Sequence, residues 1–324
     1  MKRRHFLQVT SAASAAIALP RFAVAQSYPV KPIRYIVPVA AGGGNDMIAR
    51  VVTERWGRLL GQVFVVDNQS GGGGVVASQI TARAAPDGYT LMQGYVATHG
   101  TTPATRRVSY DAIKDFTPIG MIGATPNVLA VNANVPAKTV AEFIDFAKRN
   151  PNVSYGSAGP GSLTHMTMEL FKQETGISIL HVPYRGIAPA ITDVLGGQTQ
   201  AMFPGLAAAL PHLRSGKMRA LAVTGKERSA QLKDVPTMDE LGFKGFDAMQ
   251  WYGTVGPAGM PADIVRRLNE TQVAVLKLPD LAEKLAGEAV EPWPMTPEQF
   301  GQYIRSEIAR WTALAKARNI HLEE

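Results

Sequence analysis

Apolar residues in this chain come in short unbroken runs, separated by segments in which they recur every three or four positions. Ile33 to Val37 is a run without alternation, as expected of a strand covered on both faces. From Asn45 to Leu60, Ile48, Val51, Val52, Trp56, Leu59 and Leu60 fall on one helical stripe, and Gly61 suits its C-terminal end. Val63 to Val66 predicts a second strand and Val75 to Ala84 a second helix. Pro86-Asp87-Gly88 is a turn, and Thr90 to Met92 extends again. This βαβαβ order predicts a mainly parallel sheet with helices on both faces.

The alternation then resumes as a second unit. Strands are expected at 128–131, 153–155, 179–182, 201–203 and 220–223, with helices over 140–149, 162–175, 187–195 and 206–215. A strand over 248–255 ends in Gly256-Pro257-Ala258-Gly259. Helices over 262–276 and 297–318 follow, with 290–293 extended between them. If this tail packs back on the first unit, the chain crosses twice between two lobes. The expected fold class is α/β, with two doubly wound α/β lobes joined by a hinge around a cleft. Lobe 1 would be 26–123 plus 249–324, and lobe 2 would be 124–248.

The first 25 residues predict an export signal. Lys2, Arg3 and Arg4 form a basic start, Val9 to Leu19 are mostly small and apolar, and Ala23-Val24-Ala25 fits a cleavage site, leaving Gln26 as the mature start. Arg3-Arg4-His5-Phe6-Leu7 also resembles a twin-arginine motif, so general secretion and the twin-arginine route both stay open. The segment holds four basic and no acidic residues, so its removal lowers the formal net charge from +7 to +3. The basic balance is therefore a poor argument for nucleic acid, and none is expected as a partner. The chain has no cysteine, which excludes disulfides and thiolate metal sites.

Two uncharged, glycine-rich junctions carry the candidate chemistry. One is Pro38-Val39-Ala40-Ala41-Gly42-Gly43-Gly44-Asn45-Asp46, and the other runs from Tyr155 through Gly156, Ser157, Gly159, Gly161, Ser162 and Thr164 to His165. Each follows a strand and opens a helix, whose first N–H groups lack internal partners and carry partial positive charge. Ser162 is a plausible N-cap, with His165 rather than Glu or Gln at the third position, so no capping box closes the helix start. Ser157, Ser162 and Thr164 add hydroxyls. Alternatively, those hydroxyls are satisfied by their own backbone. Asp46 is expected to cap its helix or face a backbone amide.

Other chemistries lack their residues. The first junction has Met47 where a dinucleotide fingerprint needs its third glycine, and Gly71 to Gly74 lacks the Lys-Ser/Thr ending of a P-loop. No two of the six histidines stand at a metal-binding helical spacing, and no Gly-x-Ser-x-Gly elbow surrounds Ser157 or Ser162. No metal, cofactor or catalytic residue is expected. A secreted hydrolase or isomerase using the same cleft, and a ligand sensor for a signalling partner, remain the alternatives to a binding protein.

The segments Tyr35 to Arg50, Pro86 to Leu91, Asp115 to Ile119, Gly156 to His165, His181 to Gly186, Asp193 to Gln198, Ser215 to Thr224 and Asp234 to Thr237 together resemble the Bug receptors, the periplasmic solute-binding proteins of tripartite tricarboxylate transporters. The resemblance implies a non-enzymatic periplasmic receptor of type 2-like periplasmic binding protein architecture, and a monomer is expected. It would close two lobes on a small organic carboxylate and deliver it to membrane subunits of a tripartite transporter. It implies ligand contacts at Ala41, Gly42 and Gly43 in lobe 1, at Ser157, Gly161, Ser162, Thr164 and His165 in lobe 2, at a loop with Thr98 and His99, and at Tyr184 near the hinge. One departure bears on the ligand. Where the family commonly has an acid or amide, this chain has Phe203-Pro204-Gly205, which argues against an ammonium-bearing ligand. With Phe203, Met202, Tyr95 or Trp251 nearby, an apolar or aromatic mono- or dicarboxylate is expected.

Overall fold

The first apolar run forms β1 (Ile33–Val37), in which every residue but Arg34 is buried. The structure, a computed structural model, describes residues 28–322, so the export signal expected at 1–25 lies outside the described residues. The helical stripe becomes α1 (Gly44–Leu60), which buries Ile48, Ala49, Val52, Trp56 and Leu60. Gly61 ends it at a left-handed φ of 72°. Leu59, placed on the stripe by its spacing, is exposed. β2 (Phe64–Asn68), α2 (Val75–Ala82) and β3 (Thr90–Tyr95) follow as expected, and both strands pair parallel with β1. A widened turn over Ala97–Thr101 leads into α3 (Thr102–Thr105).

β4 (Phe116–Pro126) is an eleven-residue strand that hydrophobic spacing alone did not reveal. Its Pro118, Gly120, Gly123 and Pro126 interrupt the pattern. Gly123 has a structural reason, since a Cβ there would stand 2.5 Å from the Glu291 carbonyl oxygen.

The chain then builds a second sheet from β5 (Val128–Asn132), β6 (Ser154–Ser157), β7 (Leu180–Pro183), β8 (Ala201–Met202) and β9 (Met218–Val223). The interleaved helices are α4 (Val140–Arg149), α5 (Leu163–Thr175), α6 (Ile187–Leu195) and α7 (Leu206–Arg214). It returns to the first sheet as β10 (Met249–Pro257), then forms α8 (Ala262–Leu276), α9 (Pro279–Gly287), β11 (Glu291–Pro292) and α10 (Pro297–Ala317). A capping box of Thr296 and Gln299 starts α10. The sequence reading did not anticipate α9.

Strand orders are β11-β4-β10-β3-β1-β2 and β7-β6-β8-β5-β9. The βαβαβ unit is parallel as expected, but each complete sheet is mixed. β10 runs antiparallel to β3 and β4, as does β11 to β4, while β5 runs antiparallel to β8 and β9. The parallel pairs are β1 with β2 and β3, and β6 with β7 and β8. β10 instead enters from the second unit, so its direction is set by where the chain re-enters rather than by a βαβ connection.

Buried apolar residues cover both faces of each sheet. The chain passes between sheets around Asn127 and between Val223 and Met249, and hydrogen bonds tie the two passages together. The Asn127 amide donates to Thr224 Oγ1 at 2.9 Å, and Thr224 Oγ1 donates to the Ala248 carbonyl at 2.7 Å. Away from these passages, Leu163 and Met166 of α5 pack into the same core as Trp311 and Leu314 of α10, and Arg318 bonds Glu169 at 2.9 Å.

Candidate ligand-binding site

A cavity of about 470 Å³ lies between the two sheets. It sits beyond the carboxyl ends of β3 and β4, where open α/β sheets leave a crevice. Four helices present their first residues to it: α1 through Gly44 and Asn45, α5 through Ser162, Leu163 and Thr164, α6 through Ile187, and α7 through Gly205, Ala207 and Ala208. The sequence reading anticipated two of these. No lysine or arginine is among the lining residues. Any positive field in the cavity therefore comes from main-chain dipoles, which favour an anion. A larger depression of about 720 Å³ follows the outer face of α1 and β2, away from both junctions, and has no such convergence.

The first sheet supplies a polar face by simple alternation. Gln250 and Tyr252 are two apart on β10 and point the same way. Across the ladder they stand opposite Thr125 and Tyr95, and all four line the cavity. Thr125 Oγ1 and Asn45 Nδ2 are buried without a hydrogen-bond partner among the described residues. Leaving such groups unpaired costs about 1–3 kcal/mol each, so both await a partner. Burial pushes the Tyr95 and Tyr252 hydroxyls up, which keeps them protonated as donors.

The α5 junction is a tight loop. Gly159 and Gly161 take φ of 118° and 73°, conformations open to glycine but strained for other residues. Ser162 Oγ donates to the Gly159 carbonyl at 2.6 Å and accepts from the His165 amide at 3.4 Å. Thr164 Oγ1 accepts from the Ala158 amide at 2.8 Å. Both hydroxyls thus serve the loop and also line the cavity. Behind them, His165 stacks on His181 with ring centres 4.1 Å apart. Burial holds both imidazoles at about 4, and therefore neutral.

The α1 junction is partly self-satisfied. Asp46 accepts from the Gly42 amide at 2.9 Å, from Arg50 at 3.0 Å and from Asn68 at 2.9 Å. The Arg50 guanidinium, aided by Gly42 and Asn68, holds the Asp46 carboxyl at about 2. Asp46 therefore already uses one amide that the sequence reading had assigned to a ligand. Gly43 occupies the N-cap without a side-chain bond.

The candidates read from the sequence sort as follows. Ser162 and Thr164 line the cavity, while Ala41, Gly42 and Gly43 are exposed beside the lining Gly44 and Asn45. Thr98 and His99 are fully buried and bonded to each other at 2.9 Å, and burial holds His99 at about 3. Their neighbours Tyr95, Val96 and Ala97 take the cavity positions. Ser157 is buried and bonds His181 Nε2 at 2.7 Å. Gly161 is a packing position, since a Cβ there would stand 2.6 Å from Thr105 Oγ1. The His165 ring accepts from the Gly161 amide behind the loop. The Tyr184 hydroxyl donates to Asp193 at 2.5 Å. Phe203 is in the core with Phe171 and Phe246, and Met202 and Trp251 are also buried away from the cavity. Thr125, Gln250, Tyr252 and Glu288 were missed. Polar alternation along 249–257 could have pointed to Gln250 and Tyr252, whereas Thr125 and Glu288 adjoin elements the pattern did not show.

No group of three or more His, Asp or Glu residues able to hold a metal occurs among the described residues. No helix among them is long and apolar enough to cross a membrane.

Residues 48–320 match the family described as the tripartite tricarboxylate transporter family receptor. Protein BugT of Bordetella pertussis is 35% identical over 318 residues, covering 96% of each chain. A solved structure described as a periplasmic transporter is 42% identical, covers 92% of this chain and all of its own, and superposes with a TM-score of 0.81. A Rhodopseudomonas palustris protein solved with adipate is 36% identical, covers 89% of this chain and 97% of its own, and gives a TM-score of 0.79.

Proposed function

The chain belongs to the tripartite tricarboxylate transporter receptor family, and on that premise we propose that it captures a small organic carboxylate in the cavity between its sheets and hands it to the membrane subunits of such a transporter. The family and the structural neighbours are solute-binding receptors, not enzymes. The observation that carries the reading is the meeting of four helix starts around a cavity with no basic side chain. Such a site holds a carboxylate by main-chain amides and hydroxyls, and releases it without breaking a strong ion pair.

Ser162 and Thr164, with free amides at the starts of α5 and α6, are the proposed carboxylate contacts. Asn45 Nδ2, Thr125 Oγ1 and the Tyr95 and Tyr252 hydroxyls complete the polar set. Val96, Leu163, Ile187, Ala207 and Ala208 supply an apolar wall for the ligand body. In this reading 26–123 with 249–324, and 124–248, are two lobes that close about the passages tied by Asn127 and Thr224. The receptor works in the periplasm as a monomer, after cleavage behind Ala25.

Thermal unfolding of the chain from Gln26 onward, against a panel of mono- and dicarboxylates, tests this. A true ligand at about a hundred times its Kd adds about 2.7 kcal/mol of stability, with no product formed. A panel in which no carboxylate shifts the midpoint, or in which one is turned over, would overturn it.

A further inference from the structure

Glu288 is the one acidic side chain among the residues lining the cavity. It is half-buried, and its carboxylate makes no ion pair or hydrogen bond with the described residues. Its position is fixed by the chain around it. The Glu288 amide donates to the Leu285 carbonyl at the end of α9, and Val290 donates to the same carbonyl at 2.9 Å. Ala289 has a φ of 51°, a left-handed conformation rare for a residue with a side chain, and it is buried among Val128, Leu206 and Ala209 of the second unit. The turn is held in a strained shape by packing across the two units, and Glu288 stands on that turn. Oε2 lies 3.5 Å from where a Cβ on Gly44 would be, at the α1 corner of the cavity.

We infer that the ligand carries, besides its carboxylate, a hydrogen-bond donor at its other end, a hydroxyl or an ammonium, that pairs with Glu288. The inference rests on the carboxylate-receptor reading and narrows it. A carboxylate enclosed by a bound ligand loses water and requires a donor in its place. A second ligand carboxylate at the same corner would meet like charge where water is excluded. The starts of α5 and α6 come from the second unit and the α1 and α9 corner from the first, so a small molecule between them can set its carboxylate on one side and its donor on the other. The absence of an acid after Phe203 therefore does not leave an ammonium without a partner, because Glu288 brings one from a different element.

The test is calorimetry of the chain from Gln26 onward with six-carbon acids differing only at the far end: hexanoate, adipate, 6-hydroxyhexanoate and 6-aminohexanoate, repeated with the four-carbon set. A donor-bearing acid should bind roughly tenfold or more tighter than the alkyl acid and the diacid of its length. Glu288→Gln should cut that advantage roughly ten- to hundredfold for the ammonium, less for the hydroxyl, and should tighten the diacid. The unliganded melting midpoint of Glu288→Gln should match the parent, because its carboxylate makes no hydrogen bond or ion pair with the described residues. Equal or tighter binding of a diacid or alkyl acid, or ratios unchanged in Glu288→Gln, would overturn the inference and leave the receptor reading standing. Failure of every acid in both sets to bind would overturn both.

Discussion

The wall built by the first sheet meets the cavity with side chains, namely Asn45, Tyr95, Thr125, Gln250, Tyr252 and Glu288. The opposite wall meets it with the first turns of α5, α6 and α7, offering small or apolar side chains and two hydroxyls already engaged in their own loop. Helix starts attract any anion of suitable size, because a main-chain amide carries little information about what lies behind the carboxylate. A patterned sheet face distinguishes the rest of the molecule. On the proposed function, the two walls divide affinity from selectivity.

The same contrast appears in the two glycine-rich junctions, and substitutions there give the largest and smallest expected effects. Gly161→Val places a side chain at a φ of 73° with contacts of 2.6 Å to Thr105 Oγ1 and 2.8 Å to Leu322. It should cost about 2–4 kcal/mol in denaturant unfolding. A loss below about 1 kcal/mol would mean that the α5 loop is not locked against the first unit.

Acid comes next. His165, His181 and His99 are held at about 4, 4 and 3 in the fold, against about 6.5 when unfolded. Between those values the unfolded chain binds more protons, so stability falls as pH drops from about 6.5 toward 4. The melting midpoint should decline across that window. Because two of the three histidines back the α5 loop, His165→Gln with His181→Gln should flatten the profile more than His99→Gln does. The reverse ranking would place the acid sensitivity on the other side of the cavity.

Thr125→Val removes a buried hydroxyl that has no partner among the described residues. The unliganded fold should be unchanged or more stable by up to about 1 kcal/mol, while carboxylate affinity drops several-fold. Unchanged affinity would remove the β4 face from the site. Ser162→Ala with Thr164→Ala should also weaken binding, but at a cost of about 1 kcal/mol to the fold, since Ser162 caps α5. The smallest effect is expected at Gly43→Ala, where φ is −89° and nothing lies within 4 Å of the new Cβ. The melting midpoint should move by about a degree at most, and a large shift would show that the two junctions are equally constrained.

How far each part was legible follows from how local its cause is. α1, its Gly61 terminus and the Ser162 cap were readable because their determinants lie within one or two turns of the residue concerned. β4 was not, because its glycines answer to close contacts with β11 and α8, formed by residues over a hundred positions away. Thr98 and His99 sit next to lining residues, yet a single turn of backbone directs them into the core. Phe203 likewise fits an aromatic pocket by composition, and packing against Phe171 and Phe246 assigns it elsewhere.

The sequence by itself determined the alternation of strands and helices, the family, and the presence of two helix starts suited to an anion, since period, caps and glycines act over a few residues. Only the tertiary structure decided that four such starts meet, that the sheets are mixed, and that Glu288 lines the cavity between them. Each of those depends on which distant segments are brought side by side, and local spacing carries no record of that.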